Sequence, residues 1–329
     1  MKAVVTGGAG FIGSHLCDHL IAHGHEVLVL DDLSTGSETN LEQLSGNPDF
    51  ELVKGSILDK TLVRDVISEC DTVFHLAAAV GVHTIVDKPL QSLRTNLHGT
   101  ENVVEAAAAR GARFLVASTS EVYGKNDTDG LTEDADRILG SPLKSRWSYA
   151  AAKGLDELVA YVYGEETGLP CVITRFFNIV GPRQTGRYGM VVPRFVGQAL
   201  AGEPITVYGD GTQRRCFGSV FDIIPAVVKL METPAAYNRA VNLGGLEEVT
   251  IRGLAERVVE LTGSSSRIEY VSYEDAYGEG YEDMQRRMPD TALAGGLIGY
   301  KPQRRLDDII GSIIEHKRAE SPSPQVVVA

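Results

Sequence analysis

The chain has 329 residues, 43% of them hydrophobic, and a formal net charge of −13. This length is sufficient for a large core and predicts two lobes. The acidic balance argues against a nucleic-acid partner, and no apolar run is long enough to suggest a membrane span. We expect no signal peptide, because the first apolar run is strand-sized and no basic segment or cleavage site precedes it. The four cysteines lie far apart without a CxxC pair, which favours free thiols in a reducing cytoplasm: Cys17, Cys70, Cys171 and Cys216.

Residues 1–31 have the pattern of a dinucleotide-binding βαβ unit. An apolar run from Ala3 to Thr6 leads into glycines 7, 8, 10 and 13 and an amphipathic segment, and a second apolar run ends at Asp31. Such glycines let backbone N–H groups approach a pyrophosphate, and the helix N-terminus favours its negative charge. Asp31 can accept from a ribose 2′-OH and would repel a 2′-phosphate. The pattern therefore favours NAD over NADP.

Strand and helix patterns continue to alternate as far as about residue 175. Strands are expected at 50–53, 72–76, 113–117 and 171–174, and helices at 58–69, 92–110 and 148–167. This rhythm predicts an α/β fold with a Rossmann-like, doubly wound parallel sheet over residues 1–177. Ligands of such sheets sit at the carboxyl ends of the strands.

Residues 178–318 predict a smaller C-terminal lobe. Glycine, proline and arginine become frequent, and the expected elements are helices at 190–201, 221–232, 250–262 and 306–316 and a strand at 205–207. A late strand at 241–243, within a stretch at 220–245, is expected to return to the main sheet. The Ser/Pro-rich tail at 319–329 is expected to be disordered.

Tyr149 and Lys153 are the first candidates for chemistry. They lie four residues apart on a predicted helix and therefore share one face. A lysine ammonium near a phenol lowers the phenol's pKa, so Tyr149 is predicted to remove a hydroxyl proton while a hydride leaves the same carbon. The polar loop after the strand at 113–117 supplies Thr119 or Ser120 to orient that hydroxyl.

The motifs together resemble an extended short-chain dehydrogenase/reductase of the nucleotide-sugar epimerase/dehydratase/decarboxylase group. The similar segments are TGGAGFIGSHL, DDLSTG, FHLAA at 74–78, RFFNIVGPR at 175–183, PITVYGDGTQRRCF at 204–217 and the Tyr149/Lys153 pair. One departure is Ser56, where the family usually has an acid that contacts adenine. The resemblance implies NAD as cofactor, contacted by Gly7, Gly10, Phe11, Ile12, Gly13, Asp31, Asp32, Ser34, Thr35, Gly36, Ser56, Ile57, Leu76, Ala77, Ala78, Tyr149 and Lys153.

Three features of the resemblance favour a UDP-glucuronate decarboxylase within this group. Glu121 stands in a Thr-Ser-Glu loop like those of dehydratases and uronic-acid decarboxylases, which also move a proton at C5 or C6. KSRWSYAAAK and AYGEGYEDMQRRMPD (276–290) resemble segments of those decarboxylases. By this match Arg287 lies at the sugar carboxylate, and Arg286 adds charge. The plainer interpretations are that Glu121 is a loop carboxylate paired with an arginine and that Arg286 and Arg287 form a solvated basic turn.

An acidic chain needs arginines to bind an anionic substrate, and five fall in the second lobe: Arg183, Arg187, Arg194, Arg214 and Arg215. The resemblance implies that Arg215 binds the UDP diphosphate and that Asn178 lies nearby. The substrate-binding residues implied are Asn178, Arg187, Val192, Tyr208, Arg215 and Arg287. The histidines lack ligand spacing, so no metal is expected, and His75 is expected to be packed in the interior.

The resemblance implies this reaction: Tyr149, aided by Lys153 and Thr119, deprotonates the C4 hydroxyl as NAD takes the hydride. CO₂ then leaves C5, with Arg287 holding the carboxylate and Glu121 and Ser120 exchanging protons, to give UDP-xylose or its 4-ketone. Alternatives are a UDP-glucuronate or UDP-hexose 4-epimerase, which Arg187 favours, a 4,6-dehydratase, and a non-catalytic dinucleotide sensor. Family members usually dimerise through helices corresponding to 92–110 and 148–167, so a homodimer is expected.

Overall fold

The computed structural model describes residues 1–79, 89–186, 190–277 and 284–320, and a parallel sheet of seven strands lies at its centre. The strands are β1 Lys2–Thr6, β2 Glu26–Asp31, β3 Phe50–Lys54, β4 Thr72–His75, β5 Arg113–Thr119, β6 Cys171–Phe177, β7 Ile179–Val180, β8 Ile205–Tyr208, β9 Arg214–Cys216, β10 Gly218–Ser219, β11 Arg239–Gly244, β12 Glu248–Thr250, β13 Ile268–Val271 and β14 Arg286–Arg287. The order in the main sheet is β3-β2-β1-β4-β5-β6-β11. The predicted Rossmann-like, doubly wound fold is confirmed.

Helices cover both faces of this sheet. They are α1 Phe11–Ala22, α2 Lys60–Ile67, α3 Pro89–Arg110, α4 Ser148–Thr167, α5 Val191–Ala201, α6 Val220–Met231, α7 Ile251–Thr262, α8 Tyr273–Tyr277, α9 Ala292–Ile298 and α10 Leu306–Glu320. Helices α1, α6 and α9 pack on one face, and α2, α3 and α4 pack on the other. In β1, Ala3 and Val5 face the first layer and Val4 faces the second. Strands buried on both faces must be apolar throughout, which explains the uninterrupted apolar runs.

The point where the strand order reverses lies beside β1. This strand pairs in parallel with β2 on one side and with β4 on the other. The connections after β1 and β4 therefore leave in opposite directions and open a crevice at the carboxyl ends of the strands. The loops after β1, β2, β3 and β4 all border this crevice, and they hold most of the predicted cofactor residues.

The chain beyond Phe177 divides between the main sheet and a second core. Strand β11 pairs with β6 from Arg239 to Gly244, so the late strand does return to the sheet. Helices α5, α7 and α10 enclose a separate apolar cluster with β8, which includes Val196, Leu254 and Ile310. A small sheet in the order β12-β9-β14 lies beside it. In the described ranges, no helix has the length and apolar character to cross a bilayer.

Candidate active site

The turn after β1 is shaped by glycines that no other residue could replace without movement. A Cβ on Gly13 would lie 2.2 Å from the Gly7 carbonyl oxygen, and Gly7 itself has φ +73°. A Cβ on Gly7 would lie 2.7 Å from the Ala77 nitrogen, so the loops after β1 and β4 nearly touch. Helix α1 begins at this turn, and its N-cap Gly10 has no side chain to occupy the first amide N–H groups. The turn thus fits a dinucleotide pyrophosphate.

Asp31 closes the same loop from the end of β2. Its carboxylate accepts hydrogen bonds from the Ala9 nitrogen at 2.9 Å and from the Leu33 nitrogen at 2.8 Å. Burial raises the pKa of Asp31, and these two N–H groups act in the opposite direction. The fixed negative charge lies at the crevice, where a ribose hydroxyl can donate to it and a 2′-phosphate would be repelled. Its ribose contact stays a prediction.

The other predicted cofactor residues line the same crevice or border it. Phe11 and Ile12 form the first turn of α1, and the Asp32 carboxylate accepts from the Ser34 nitrogen at 3.0 Å. A Cβ on Gly36 would lie 2.9 Å from the carbonyl carbon of Ala9, so the loop after β2 packs on the glycine turn. After β3 and β4 come the remaining members of the set: Ser56, Ile57, Leu76, Ala77 and Ala78, with Thr35 exposed beside Gly36.

The predicted catalytic residues meet at the end of β5. Thr119 is the last residue of this strand, and its hydroxyl accepts from the Glu121 nitrogen at 3.2 Å, which caps the short 3₁₀ helix Ser120–Tyr123. Helix α4 packs on this 3₁₀ helix and carries Tyr149 in its first turn, with Lys153 one turn later. Ser120 is buried and its hydroxyl accepts from Arg287 at 3.0 Å.

The expected effect of Lys153 on Tyr149 is not what the structure shows. The Lys153 ammonium lies 3.1 Å from the carboxylate of Asp156, and both side chains are buried. Burial raises the pKa of Tyr149, and the negative charges of Glu121 and Asp156 raise it further. The prediction of a lowered tyrosine pKa is therefore wrong for the protein without its cofactor. The physical reasons are burial of the phenol, which is the largest effect, and the nearby carboxylates of Glu121 and Asp156, the second of which also pairs with Lys153.

Glu121 lies among arginines. One carboxylate oxygen accepts from Arg146 at 2.6 Å, and the other is 3.8 Å from Arg287. Burial alone would raise the pKa of Glu121, but Arg146, Arg287 and Arg215 outweigh it and lower the pKa to about 2. A carboxylate of that pKa is a weak base, so the arrangement favours an ion-paired, arginine-orienting role over the proton exchange that the sequence suggested.

The small second-lobe sheet explains which arginines reach this cluster. Strand β14 pairs in parallel with β9, so Arg287 lies opposite Arg215 and Arg286 lies opposite Arg214. Because side chains alternate along a strand, the first pair faces inward and the second faces outward. Arg215 and Arg287 are buried. Both Arg214 and Arg286 instead pair with Glu248, so Arg286 does not add charge to the site as expected.

The expected group of five arginines is only partly assembled among the described residues. Arg183 pairs with Asp18 of α1 at 2.7 Å, and the Arg194 guanidinium lies 3.9 Å from the ring centroid of Tyr208. Arg215 is the member of the five that approaches Glu121. Arg187 and residues 278–283 of the predicted carboxylate-binding segment lie outside the described residues.

The remaining predicted substrate residues lie in the second lobe near β9. Asn178, at φ +42°, donates to the carbonyl of Cys216 at 3.0 Å. Val192 is buried in the first turn of α5. Tyr208 ends β8, with one ring face covered by Arg194. Their contacts with a nucleotide stay predictions.

Sequence reasoning missed Arg146, which stands directly before the Trp-Ser-Tyr segment and has no predicted role. It also missed Asp156, although its spacing of three from Lys153 was a usable signal. A third omission is the buried network in which Glu157 accepts from Ser118 and from Arg175, with Arg175 also donating to Tyr123 at 2.9 Å. No local pattern marks that network, because its members come from β5, the 3₁₀ helix Ser120–Tyr123, α4 and β6.

His75 is buried at the end of β4, as expected for a packed histidine. Its ring nitrogens lie 2.7 Å from the Thr6 hydroxyl and 3.0 Å from the Thr100 hydroxyl. Burial, with a smaller contribution from Lys153, lowers the pKa of His75 to about 3, so the ring is neutral. Among the described residues, no three His, Cys, Asp or Glu side chains are grouped to hold a metal ion.

Comparisons with known proteins agree with this geometry. The chain is 40% identical over 302 residues to a UDP-N-acetyl-alpha-D-glucosaminuronate decarboxylase of Bacillus cytotoxicus, covering 92% of each chain. It is 36% identical to UDP-glucuronic acid decarboxylase 1 of Xenopus tropicalis, over 97% of this chain and 72% of that one.

Among solved structures, a UDP-glucuronic acid 4-epimerase from Bacillus cereus, in complex with UDP-glucuronic acid and NAD, superposes with a TM-score of 0.88. It is 29% identical and covers 98% of this chain and 100% of that one. A dTDP-glucose 4,6-dehydratase from Streptomyces venezuelae with bound NAD also has a TM-score of 0.88, at 30% identity and 97% coverage of both chains. The family model for the NAD dependent epimerase/dehydratase family matches residues 3–244. The chain therefore belongs to the NAD dependent epimerase/dehydratase family, and NAD is its cofactor.

Proposed function

We propose that this protein is an NAD-dependent decarboxylase of a UDP-hexuronic acid, with UDP-glucuronic acid as the substrate and UDP-xylose or UDP-4-keto-xylose as the product. One observation carries the proposal. Arg287 is buried and donates a hydrogen bond to the Ser120 hydroxyl, beside the loop that faces Tyr149. A sugar carboxylate would need a cation at this position. The decarboxylases of Bacillus cytotoxicus and Xenopus tropicalis, similar over nearly the whole chain, support the same reaction class.

The charge of the site supports an anionic substrate. Three arginines surround one carboxylate: Arg146, Arg215 and Arg287 act on Glu121. The carboxylate orders the guanidinium groups without cancelling their total charge, which leaves positive potential for a diphosphate and a carboxylate. Arginine suits both groups because it donates two parallel hydrogen bonds to them.

The reaction would begin at the C4 hydroxyl of the sugar. Tyr149 would take the proton of that hydroxyl, and Thr119 would orient the oxygen. NAD, when bound, accepts a hydride from the same carbon and can return it. A cationic nicotinamide would also offset the carboxylates that raise the pKa of Tyr149. A ketone at C4 stands β to the carboxylate, and Arg287 would hold that carboxylate as CO₂ leaves.

The cofactor would be held by the glycine turn, Asp31 and the loop after β2. Its pyrophosphate would lie on the N-terminus of α1, whose amide N–H groups are open because Gly10 has no side chain. Asp31 would accept from the adenosine ribose. Its buried negative charge supports selection of NAD over NADP.

A UDP-glucuronate 4-epimerase is the second candidate. The similarity to the Bacillus cereus 4-epimerase favours it, because that enzyme binds UDP-glucuronic acid on the same fold. The epimerase would share the role of Tyr149 and would return hydride to the other face of the sugar without releasing CO₂. A 4,6-dehydratase is third, since it needs no arginine at a sugar carboxylate. A non-catalytic sensor is disfavoured because Tyr149 and Lys153 are both present.

The proposal includes a homodimer in a reducing, cytoplasmic compartment. Helix α4 exposes apolar side chains that a partner copy would cover: Leu155, Leu158, Tyr161 and Val162. Helix α3 packs beside it and would complete a four-helix interface. The four cysteines are buried free thiols, which fits reducing conditions. The substrate lobe would comprise residues 178–318.

The test is incubation of the purified protein with UDP-glucuronic acid labelled with ¹³C at C6, with and without added NAD. Released ¹³CO₂ and a UDP-pentose in the NMR spectrum support the decarboxylase, and a requirement for added NAD would indicate release of the 4-ketone. UDP-galacturonic acid without CO₂ would replace this proposal with the epimerase. A parallel incubation with UDP-N-acetylglucosaminuronic acid tests the C2 substituent, and Tyr149→Phe is the inactive control.

A further inference from the structure

Three ionisable side chains follow one face of α4 over two helical turns. Tyr149, Lys153 and Asp156 are spaced four and three residues apart, which places them in one stripe. The Lys153 ammonium and the Asp156 carboxylate are 3.1 Å apart, and their side chains are 3% and 1% exposed. Such a pair is strongly coupled, because little water is present to screen it.

A buried polar line crosses the sheet toward Asp156. Burial raises the pKa of Asp156, and Lys153, with a smaller contribution from the Thr100 hydroxyl of α3, lowers it. Thr100 lies 3.0 Å from His75 of β4, and His75 lies 2.7 Å from Thr6 of β1. A neutral imidazole accepts through one nitrogen and donates through the other, so this line can point every donor toward the carboxylate.

We propose that Asp156 is a positioning residue that fixes the Lys153 ammonium on the Tyr149 face of α4 and neutralises it, so that Lys153 acts on Tyr149 as half of an ion pair. This inference rests on the proposed function, in which Tyr149 accepts the proton of the sugar hydroxyl. The other charged groups facing the pair are Glu121 of the 3₁₀ helix and Glu157, which is itself paired with Arg175 of β6. His75 and Thr100 face it without charge.

The consequence is a measurable shift in the ionisation of Tyr149. Removing the Asp156 charge leaves a full positive charge one turn from the phenol, which favours the phenolate. We therefore expect the Tyr149 midpoint in Asp156→Asn to fall by about one pH unit, which is a tenfold change in the phenolate-to-phenol ratio. Asp156→Glu keeps the charge and should restore the wild-type midpoint.

The measurement uses the NAD-saturated protein labelled with [ζ-¹³C]tyrosine and titrated by NMR. The Tyr149 resonance is assigned by its loss in Tyr149→Phe, and Glu166→Gln, at an exposed site of the same helix, is the matched control. The pH at half-maximal turnover should move in the same direction as the NMR midpoint. A structural role alone would change thermal stability and leave the midpoint in place.

An unchanged midpoint in folded Asp156→Asn would overturn the inference. Asp156→Ala serves as a second charge-removing variant, and failure of both to fold while Asp156→Glu folds would also overturn it, by assigning Asp156 to stability. If the wild-type protein releases no CO₂, the proposed function fails. The NMR midpoint still decides the role of Asp156 in that case, so the two failures are distinguishable.

Discussion

The cofactor crevice and the charged cluster of Glu121, Arg146, Arg215 and Arg287 are built in different ways. At the crevice, the chain leaves space: Gly7 and Gly13 permit approaches that a Cβ would prevent, and a helix N-terminus supplies N–H groups. At the cluster, the arrangement depends on side-chain charge, because Arg146 and Arg287 surround the carboxylate of Glu121. The first region depends on backbone shape over a few consecutive residues. The second depends on groups brought together from distant segments.

This difference predicts how each region fails. A change in backbone space at the crevice should reduce folding stability and cofactor binding together. A change of charge at the cluster should reduce turnover while the fold persists, because the apolar clusters hold the fold and Arg146 and Arg287 contact Glu121. Four substitutions test the comparison.

The largest effect is expected from Tyr149→Phe, which removes the proposed proton acceptor and leaves the helix intact. A positioned acid or base contributes about 10²- to 10⁴-fold, so turnover should fall at least about 10³-fold. The assay is release of labelled CO₂ at saturating NAD and substrate. Tyr161→Phe, at an exposed position of the same helix, should keep wild-type turnover. Retention of more than about a tenth of the activity in Tyr149→Phe would contradict the assigned role.

Arg287→Ala should lower kcat/KM by about 10²-fold, because it removes a buried guanidinium that donates to Ser120 and faces Glu121. Its sequence neighbour is a matched control, since Arg286 points the other way and pairs with Glu248. Arg286→Ala should change kcat/KM by less than about threefold. Equal losses in the two variants would show that the register of β14 against β9 does not set the carboxylate site.

Gly13→Ala tests the crevice. The added Cβ would lie 2.2 Å from the Gly7 carbonyl oxygen, so the turn must shift, at a cost of about 2 kcal/mol in the free energy of unfolding. NAD affinity should fall in parallel. Gly197→Ala is the control, because nothing lies within 4 Å of its added Cβ in α5, and it should stabilise by about 0.5–1 kcal/mol. Urea unfolding and NAD titration measure both; equal stabilities would refute the steric argument.

The smallest effect concerns pH. The pKa of Glu121 is about 2 in the folded protein, below its usual value of 4.5. Its carboxylate therefore stabilises the fold above about pH 4.5 and loses that contribution as the pH falls toward 2. Glu121→Gln should lower the free energy of unfolding at both pH values. The decrease should be about 1 kcal/mol smaller at pH 3.5 than at pH 7. Urea unfolding at both pH values checks this, with exposed Glu260→Gln as control; a pH-independent difference would contradict the ion pairing.

Much of the fold was predictable from local pattern. The apolar runs, glycine turn and helical spacing gave the order of strands and helices as far as residue 175, because strands buried on both faces must be apolar. The two-residue strand β14 and the three-residue strand β9 were not predicted, since segments so short have no recognisable hydrophobic period. Their pairing is set by the surrounding lobe.

The sequence by itself determined the family, the dinucleotide turn and the helical spacing of Tyr149 and Lys153, because each depends on residues close together along the chain. Tertiary structure alone decided which charges meet. It buried Tyr149 near the carboxylate of Glu121, which reversed the expected direction of the Tyr149 pKa, and it turned Arg287 inward toward Glu121 and Arg286 outward. The physical reason is that electrostatic energy depends on distance and burial, and a linear sequence specifies neither for residues far apart.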